Sequence, residues 1–140
     1  MRIISGRLKG KNINFLKNST TRPLKDVVKE NIFNILDHSS LIRISLKNAK
    51  VLDAYSGVGS FGLECLSRGA NKVSFVENNK NASLKLKENL KLLDIKDNAL
   101  VFDYSIELFL KKKKEEKYSL IFLDPPYSDN SFVQNISVIK

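Results

Sequence analysis

Four short apolar runs in this chain each end at a carboxylate. Asp53 closes KVLD, Glu77 closes KVSFVE, Asp103 follows ALVF and Asp124 closes YSLIFLD. Between the first two lies SGVGSFG, in which Gly57, Gly59 and Gly62 form a Gly-x-Gly-x-x-Gly pattern. Between a strand and a helix, such a pattern lets the backbone turn tightly and approach a nucleotide-type ligand. An acid at the end of the next strand then accepts from ribose hydroxyls, and Glu77 stands there. Glycine turns also serve ordinary strand-to-helix packing, so the loop alone does not name its ligand. Asp53 separates the candidates. Its carboxylate, expected to point into the crevice, repels a pyrophosphate and attracts a cation, most strongly where water is excluded. S-adenosylmethionine carries a sulfonium and an ammonium but no phosphate, so Asp53 favours it over a nicotinamide dinucleotide. Asp103 either sits beside the adenine, accepting from its exocyclic amine, or caps the following helix. Tyr55 and Ser56, just before the glycines, join the candidate cofactor set, although Tyr55 can equally be core.

Asp124, Pro125, Pro126 and Tyr127 are the candidate catalytic residues. Methyl transfer to an exocyclic amine of a base faces a weak nucleophile, because the nitrogen lone pair is delocalised into the ring. Two acceptors gripping its hydrogens turn the lone pair toward the methyl carbon and stabilise the charge that develops. Asp124 and a backbone carbonyl of the Pro-Pro pair can be those acceptors. The prolines stiffen the backbone and offer no competing N–H, and Tyr127 can stack on an extruded base. The bland alternative is a strand ending in a Pro-Pro turn with a surface tyrosine.

The elements that must hold these groups are legible from residue 50 onward. KVLDAY, KVSFVE, ALVF and YSLIFLD are expected strands. The helices expected between them are FGLECLSRG, capped by Gly69, a lysine-rich helix from about Asn79 to Leu93, and one near Ser105–Lys114. Strands alternating with helices imply βαβ units and a parallel sheet, hence an α/β, Rossmann-like fold. Upstream, RIISGRLKGKNINF suggests one or two short strands turning at Gly6 and Gly10. LKDVVKENIFNILDHSS is an amphipathic helix whose apolar face is expected at Val28, Ile32, Ile35 and Leu36 and which His38 ends. The stretch to Lys50 is a linker, with room for a short helix.

The 140 residues suit one domain, and 42% hydrophobic with 28% charged residues is an ordinary globular balance. No apolar run is long enough to span a membrane, and the first residues lack a signal-peptide core, so a cytoplasmic protein is expected. One cysteine and one histidine exclude a disulfide framework and a Cys/His metal cluster, and no metal is expected. Cys65 is expected to be a small buried residue. Of the net charge of +9, residues 1–50 contribute +8, from eleven Lys/Arg against three Asp/Glu. Segregated charge of this kind is the footprint of a polyanion-binding surface. The chain thus divides into a basic extension, residues 1–49, and a core, residues 50–140. The run KKKKEEK is expected to be a solvated helix end, with RNA contact as the lesser alternative.

With these motifs in view, the chain resembles the bacterial RsmD-type methyltransferases, which methylate the N2 amine of a guanine in 16S ribosomal RNA. The resemblance runs through MRIISGRLKGK, TRPLKDVVKENIFNIL, VLDAYSGVGSFGLECLSRGA, FVE and LDPPY. It implies S-adenosylmethionine held by Asp53, Gly57 and Gly59, with Glu77 on the ribose. It also implies the target amine at Asp124 to Tyr127, and RNA contacts from Arg2, Arg7, Lys9, Lys11 and Arg22. Arg22 and Pro23 would lie near the RNA entrance, or form only a helix-start turn. The implied partner is 16S ribosomal RNA or an assembling small subunit, met by a monomer.

Leu24 and Val27 depart from the family pattern, which usually has threonine and often arginine there. Family members also continue well beyond DPPY, whereas here thirteen residues, SDNSFVQNISVIK, come after Tyr127. At about 3.3 Å per residue, these suffice for a helical turn and one strand. The expectation is a truncated member, with its fourth strand or the segment after it exposed as an apolar edge. Alternatives from other classes are a catalytically impaired RNA-binding remnant of the family and a DNA amino-methyltransferase. A dehydrogenase comes last, since Asp53 and DPPY both oppose it.

Overall fold

The computed structural model describes residues 1–17, 24–126, 128–130 and 132–138. Arg22, Pro23 and Tyr127 lie outside the described residues. Four strands, β1 (Lys50–Asp53), β2 (Lys72–Val76), β3 (Ala99–Phe102) and β4 (Leu120–Phe122), form a parallel sheet in the order β3-β2-β1-β4. Five helices accompany it: α1 (Asp26–His38), α2 (Ser60–Ser67), α3 (Lys80–Leu92), α4 (Ile106–Lys112) and α5 (Phe132–Val138). The chain steps outward from β1 to β2 and β3, then returns to place β4 on the other side of β1. The order therefore reverses between β1 and β4, and ligands of open α/β sheets bind at the carboxyl ends of the strands at such a point.

A parallel sheet is covered on both faces, so its strands are near-continuous apolar runs. Val51, Val73 and Phe75 pack with Leu63 and Leu66 of α2, Leu86 and Leu90 of α3, and Phe33 and Leu36 of α1. Leu52 and Val76 face the other way, onto Ile106 and Phe109 of α4. An aromatic stack crosses the first face: Phe61 of α2 lies 5.0 Å from Phe33 and 3.8 Å from Phe122 of β4, ring centre to ring centre. Helix α2 ends as expected. Ala70 N–H donates to the Cys65 carbonyl and Gly69 N–H to that of Leu66, a Schellman closure with Gly69 in the left-handed region. Cys65 is buried, which pushes its thiol well above the usual range.

The basic extension is part of the same core. Ile3, Leu8 and Ile13 sit in one cluster with Val51, Leu63 and Val73. The expected N-terminal strands are reduced to a single antiparallel bridge, Arg2 to Asn12, with turns at Gly6 and Gly10. In this N-terminal arm, residues 1–17, Ile3 and Ile13 N–H donate across the bridge to the Lys11 and Met1 carbonyls, but other donors go to side chains of α2. Ile4 and Ser5 N–H donate to the Glu64 carboxylate, and Leu8 N–H to the Ser67 hydroxyl, each at 2.9 Å.

Helix α1 also departs from expectation. Its buried residues are Lys29, Phe33 and Leu36, while Val28 and Ile35 are exposed and Ile32 is half-buried. The helix is rotated because Lys29 is drawn inward to Glu64 of α2, Nζ to Oε2 3.4 Å, with both side chains 0% exposed. Lys29 Nζ also donates to the Arg2 carbonyl at 2.8 Å and the Ser60 hydroxyl at 3.3 Å. Arg68 closes the cluster: its Nε donates to Glu64 at 3.0 Å, its guanidinium pairs with Asp37 and lies over the Phe33 ring.

Three smaller expectations change. Residues 39–49 contain no helix, although Leu46 and Ala49 are buried there. Strand β4 is shorter than YSLIFLD because β1 turns away after Asp53, so pairing ends where Ala54 N–H meets the Phe122 carbonyl. The residues after DPPY form α5, against α4, instead of a helical turn and a strand. β4 is an edge of the described sheet, as expected.

Removing one member of a buried ion pair strands the other and typically costs about 3–5 kcal/mol. Glu64→Gln should therefore be strongly destabilising, as should Lys29→Met. The double variant should lose less than the sum of the two, a coupling readable in urea melts as a double-mutant cycle. Additive losses would mean that the pair does not act as a unit.

Candidate active site

The parallel register brings the four carboxylates to one edge. Asp53 ends β1, Glu77 and Asp103 directly follow β2 and β3, and Asp124 lies two residues beyond β4. Glu77 N–H donates to the Phe102 carbonyl, which keeps the strand ends level.

The glycine loop bridges β1 and α2. Gly59 N–H donates to the Ser56 carbonyl at 2.8 Å, closing a tight turn, and Gly57 N–H donates to Glu77 Oε2 at 2.7 Å. Gly59 has φ +94°, and a Cβ there would meet Leu86 Cδ1 at 2.4 Å. Gly62 is required for a different reason: a Cβ would lie 2.3 Å from the Phe75 ring, so its absence lets α2 sit directly on β2. Gly57 faces open space, with nothing within 4 Å of where its Cβ would be. A ligand can approach the backbone there.

The candidate cofactor residues fall into two sets. Glu77 is held rigidly, its second oxygen accepting from Asn79 N–H at 2.8 Å. Each carboxylate oxygen keeps a further lone pair, which ribose hydroxyls can use. Asp103 is exposed; it accepts from Ser83 Oγ and pairs with Lys87, 2.5 Å from Oδ2 to Nζ. Lys87 and then Ser83 hold its carboxyl below the usual range. Asp103 is not the helix cap: Ser105 caps α4, its hydroxyl accepting from Leu108 N–H.

Asp53 does not open into the crevice. It is 1% exposed beneath the loop, and Oδ2 accepts from Gly62 N–H at 3.0 Å, in the first turn of α2. Burial raises its pKa to about 7, against the lowering effect of the Gly62 bond, and the charges of Asp124 and Glu77 push it further up. Asp124 is likewise raised, by desolvation. Ser56 is turned inward, its hydroxyl donating to the Val76 carbonyl, so only its backbone can face a ligand. Tyr55 packs against the second core cluster. After Asp124, the Pro126 carbonyl accepts from Asp129 N–H at 2.9 Å, which leaves Pro125 with the carbonyl that has no partner among the described residues.

Three further residues shape the loop. Lys29 reaches Ser60 at the start of α2, and Asn89 of α3 donates to the Val58 carbonyl at 3.1 Å. Gly62 supplies the amide that Asp53 holds. The sequence signal for Asn89 is a polar residue on an apolar helical spacing, with Ala82, Leu86 and Leu90. Arg2, Arg7, Lys9 and Lys11 are all exposed on the arm, Arg2 lying 3.7 Å from Asp26.

All 140 residues match the family model described as "Conserved hypothetical protein 95". The chain belongs to this family, that of the RsmD-type methyltransferases its motifs resemble. The protein named "Ribosomal RNA small subunit methyltransferase D" from Haemophilus influenzae is 36% identical over 99% of this chain and 70% of its own length. Its namesake from Buchnera aphidicola (Acyrthosiphon pisum strain) is 33% identical over 99% of this chain and 69% of its own. A solved Escherichia coli structure titled "Putative methyltransferase yhhF" superposes with a TM-score of 0.81 at 30% identity, over 99% of this chain and 71% of that one. The RsmD-type fold is thus shared across the whole described sheet.

The raised pKa of Asp53 has a definite sign for stability. The folded chain holds this proton more tightly than the unfolded chain, whose carboxyl titrates near 4. Its contribution is fully present below about pH 4 and is lost as pH rises through about 7. Asp53→Asn keeps an acceptor for Gly62 and removes the buried charge. The variant should melt higher than the parent at pH 8 and little differently at pH 4. Equal melting temperatures at both pH values would show that the carboxylate is not strained by burial.

Proposed function

We propose that the chain is an S-adenosylmethionine-dependent methyltransferase that modifies the exocyclic N2 amine of a guanine in small-subunit ribosomal RNA. One observation carries this reading: a glycine loop with an open backbone face is ringed by carboxylates at the sheet's reversal point, next to Asp124-Pro125-Pro126. The names of the relatives support the ribosomal RNA substrate. A cationic nucleoside without phosphates fits this edge, since Asp53 and Asp124 lack a balancing cation among the described residues while Glu77 retains acceptor capacity. S-adenosylmethionine supplies a methyl group on a sulfonium, which passes to the nitrogen as the carbon–sulfur bond breaks and leaves a neutral thioether.

The chain's own residues position and polarise. Glu77 anchors the ribose and, through Gly57 N–H, sets the loop's height. Asp53 acts from below, by its field and by holding the Gly62 amide. Asp124 and the Pro125 carbonyl accept from the two hydrogens of the amine, which aims its lone pair and stabilises the positive charge of the alkylated nitrogen. Asp124, made less acidic by partial desolvation, is a competent acceptor for the proton released at the end. Tyr127 stacks on the extruded base. Arg2, Arg7, Lys9 and Lys11, with Arg22, contact phosphates.

Thermal melts of the chain with S-adenosylhomocysteine and with NAD test the cofactor. At a hundred times its dissociation constant a ligand adds about 2.7 kcal/mol, so S-adenosylhomocysteine should raise the midpoint by on the order of 10 °C. NAD should not; a shift with NAD alone overturns the reading. Asp124→Asn should keep the S-adenosylhomocysteine shift and lower methyl transfer to ribosomal RNA by about a hundredfold or more.

Affinity for S-adenosylhomocysteine, whose ammonium is attracted by the field of an ionised Asp53, should also tighten as pH rises. A group titrating near 7 gives about a tenfold change between pH 6 and pH 8. Calorimetric titration of Asp53→Asn should show no such slope.

A further inference from the structure

We infer that Asn89 is the positioning residue of the cofactor loop, and that it makes the shape of the loop depend on the docked basic arm. The inference rests on the methyltransferase reading above. Asn89 is 0% exposed on the inner face of α3, and its amide serves two segments at once. Toward the arm it exchanges two hydrogen bonds with the backbone of Asn14. Oδ1 accepts from Asn14 N–H at 2.9 Å, and Nδ2 donates to the Asn14 carbonyl at 2.9 Å. The other hydrogen of Nδ2 goes to the Val58 carbonyl, between Gly57 and Gly59.

This arrangement fixes which end of the amide faces the loop. Asn14 offers one donor and one acceptor, so it accepts the Asn89 amide in a single orientation, the one that turns a nitrogen toward Val58. With the arm displaced, that selection is gone. The amide is then free to turn away, and a turned amide leaves the peptide joining Val58 to Gly59 with its N–H on the Ser56 carbonyl as its one hydrogen bond among the described residues. Gly59, on its C-terminal side, has no Cβ to resist rotation of that peptide. Pinned at both ends, it keeps the Gly59 N–H in the turn and leaves the open face of Gly57 toward the ligand. Leu86, one turn earlier on α3, lies against Gly59, so one helical face seats the whole loop. The arm carries Arg2, Arg7, Lys9 and Lys11. An RNA that holds the arm in place therefore favours the loop conformation that binds cofactor.

The test compares Asn89→Ala with Ser67→Ala in the full chain. Ser67 is a second tether of the arm, at the far end of α2, where its hydroxyl accepts from Leu8 N–H and donates to the Ser5 carbonyl. Calorimetry with S-adenosylhomocysteine and amide hydrogen exchange at residues 57–60 are measured for the parent and both variants. Asn89→Ala should weaken S-adenosylhomocysteine by about tenfold, the worth of one buried hydrogen bond, and speed exchange at Gly59. Ser67→Ala leaves the Asn14 bonds to Asn89 in place, so it should lower the melting temperature yet keep both readouts near the parent. If Asn89→Ala does not fold, the milder Asn89→Ser takes its place, with the same direction of change expected. Parent-like affinity and exchange in a folded Asn89 variant overturn the inference. Equal losses in Ser67→Ala overturn it too, since Asn89 would then be merely structural. A parent that fails to bind S-adenosylhomocysteine overturns the methyltransferase reading, and the inference with it.

Discussion

The buried carboxylate of Glu64 draws its partners from three parts of the chain: it accepts from the N–H groups of Ile4 and Ser5 in the arm and from Arg68 at the end of α2, and it pairs with the Lys29 ammonium of α1. Taking a carboxylate and an ammonium out of water costs several kcal/mol each, and the cost is recovered only when geometry and hydrogen bonding are complete. Here they are, and completing them forces a particular assembly. The arm must lie along α2, and α1 must turn a lysine inward. Lys29 then continues to Ser60, the first residue of the helix that the cofactor loop leads into. An apolar pair of the same volume would fill the space without specifying that the arm's backbone come to this place. The docking of the basic extension and the seating of α2 are for this reason one event.

That network also explains how much is legible in the sequence. The alternation of strands and helices after Lys50, the glycine loop, the Gly69 cap and the strand-end carboxylates are local patterns, and local backbone chemistry is enough to produce them. The face of α1 is not local. Val28, Ile32, Ile35 and Leu36 have helical spacing, yet the helix buries Lys29 because a partner thirty-five residues later waits for it. The N-terminal segment has the composition of strands but keeps a single bridge, because the donors of Ile4, Ser5 and Leu8 are taken by side chains of α2. Asn89 is inconspicuous inside a lysine-rich helix for a similar reason: its role is set by Asn14, seventy-five residues away in sequence. Asp53 is legible as a group at the strand end. Its burial under the loop is not, because the amide that captures it belongs to a helix turn whose approach depends on Gly62.

The four strand-end acids are chemically unequal. Asp103 is balanced by Lys87, and Glu77 by two backbone amides. Asp53 and Asp124 have no cation among the described residues, and each is pushed toward its neutral form, Asp53 partly by the presence of Asp124. The uncompensated negative charge is thus concentrated between β1 and β4, where the strand order reverses. A cationic ligand bound there would relieve a repulsion that the folded chain otherwise carries, so part of its affinity is already stored in the fold.

The strand order also accounts for why donor and acceptor chemistry can meet. In β3-β2-β1-β4 the cofactor loop rises from β1, and the ribose acid Glu77 follows β2 on one side. Asp124 follows β4 on the other. Had β4 been added outside β3, Asp124 would stand beyond Asp103, three strands from the loop, and no single ligand could touch both. Because β4 pairs with β1, an amine gripped by Asp124 and Pro125 as proposed would lie one strand from the loop that carries Gly57. The proposed reaction needs the nitrogen, the methyl carbon and the sulfur in a line, with little acid–base work beyond the loss of one proton. A fixed distance between two adjacent strand ends meets that need. The rigid Pro-Pro backbone on one side and the pinned glycine loop on the other hold it without a dedicated catalytic base.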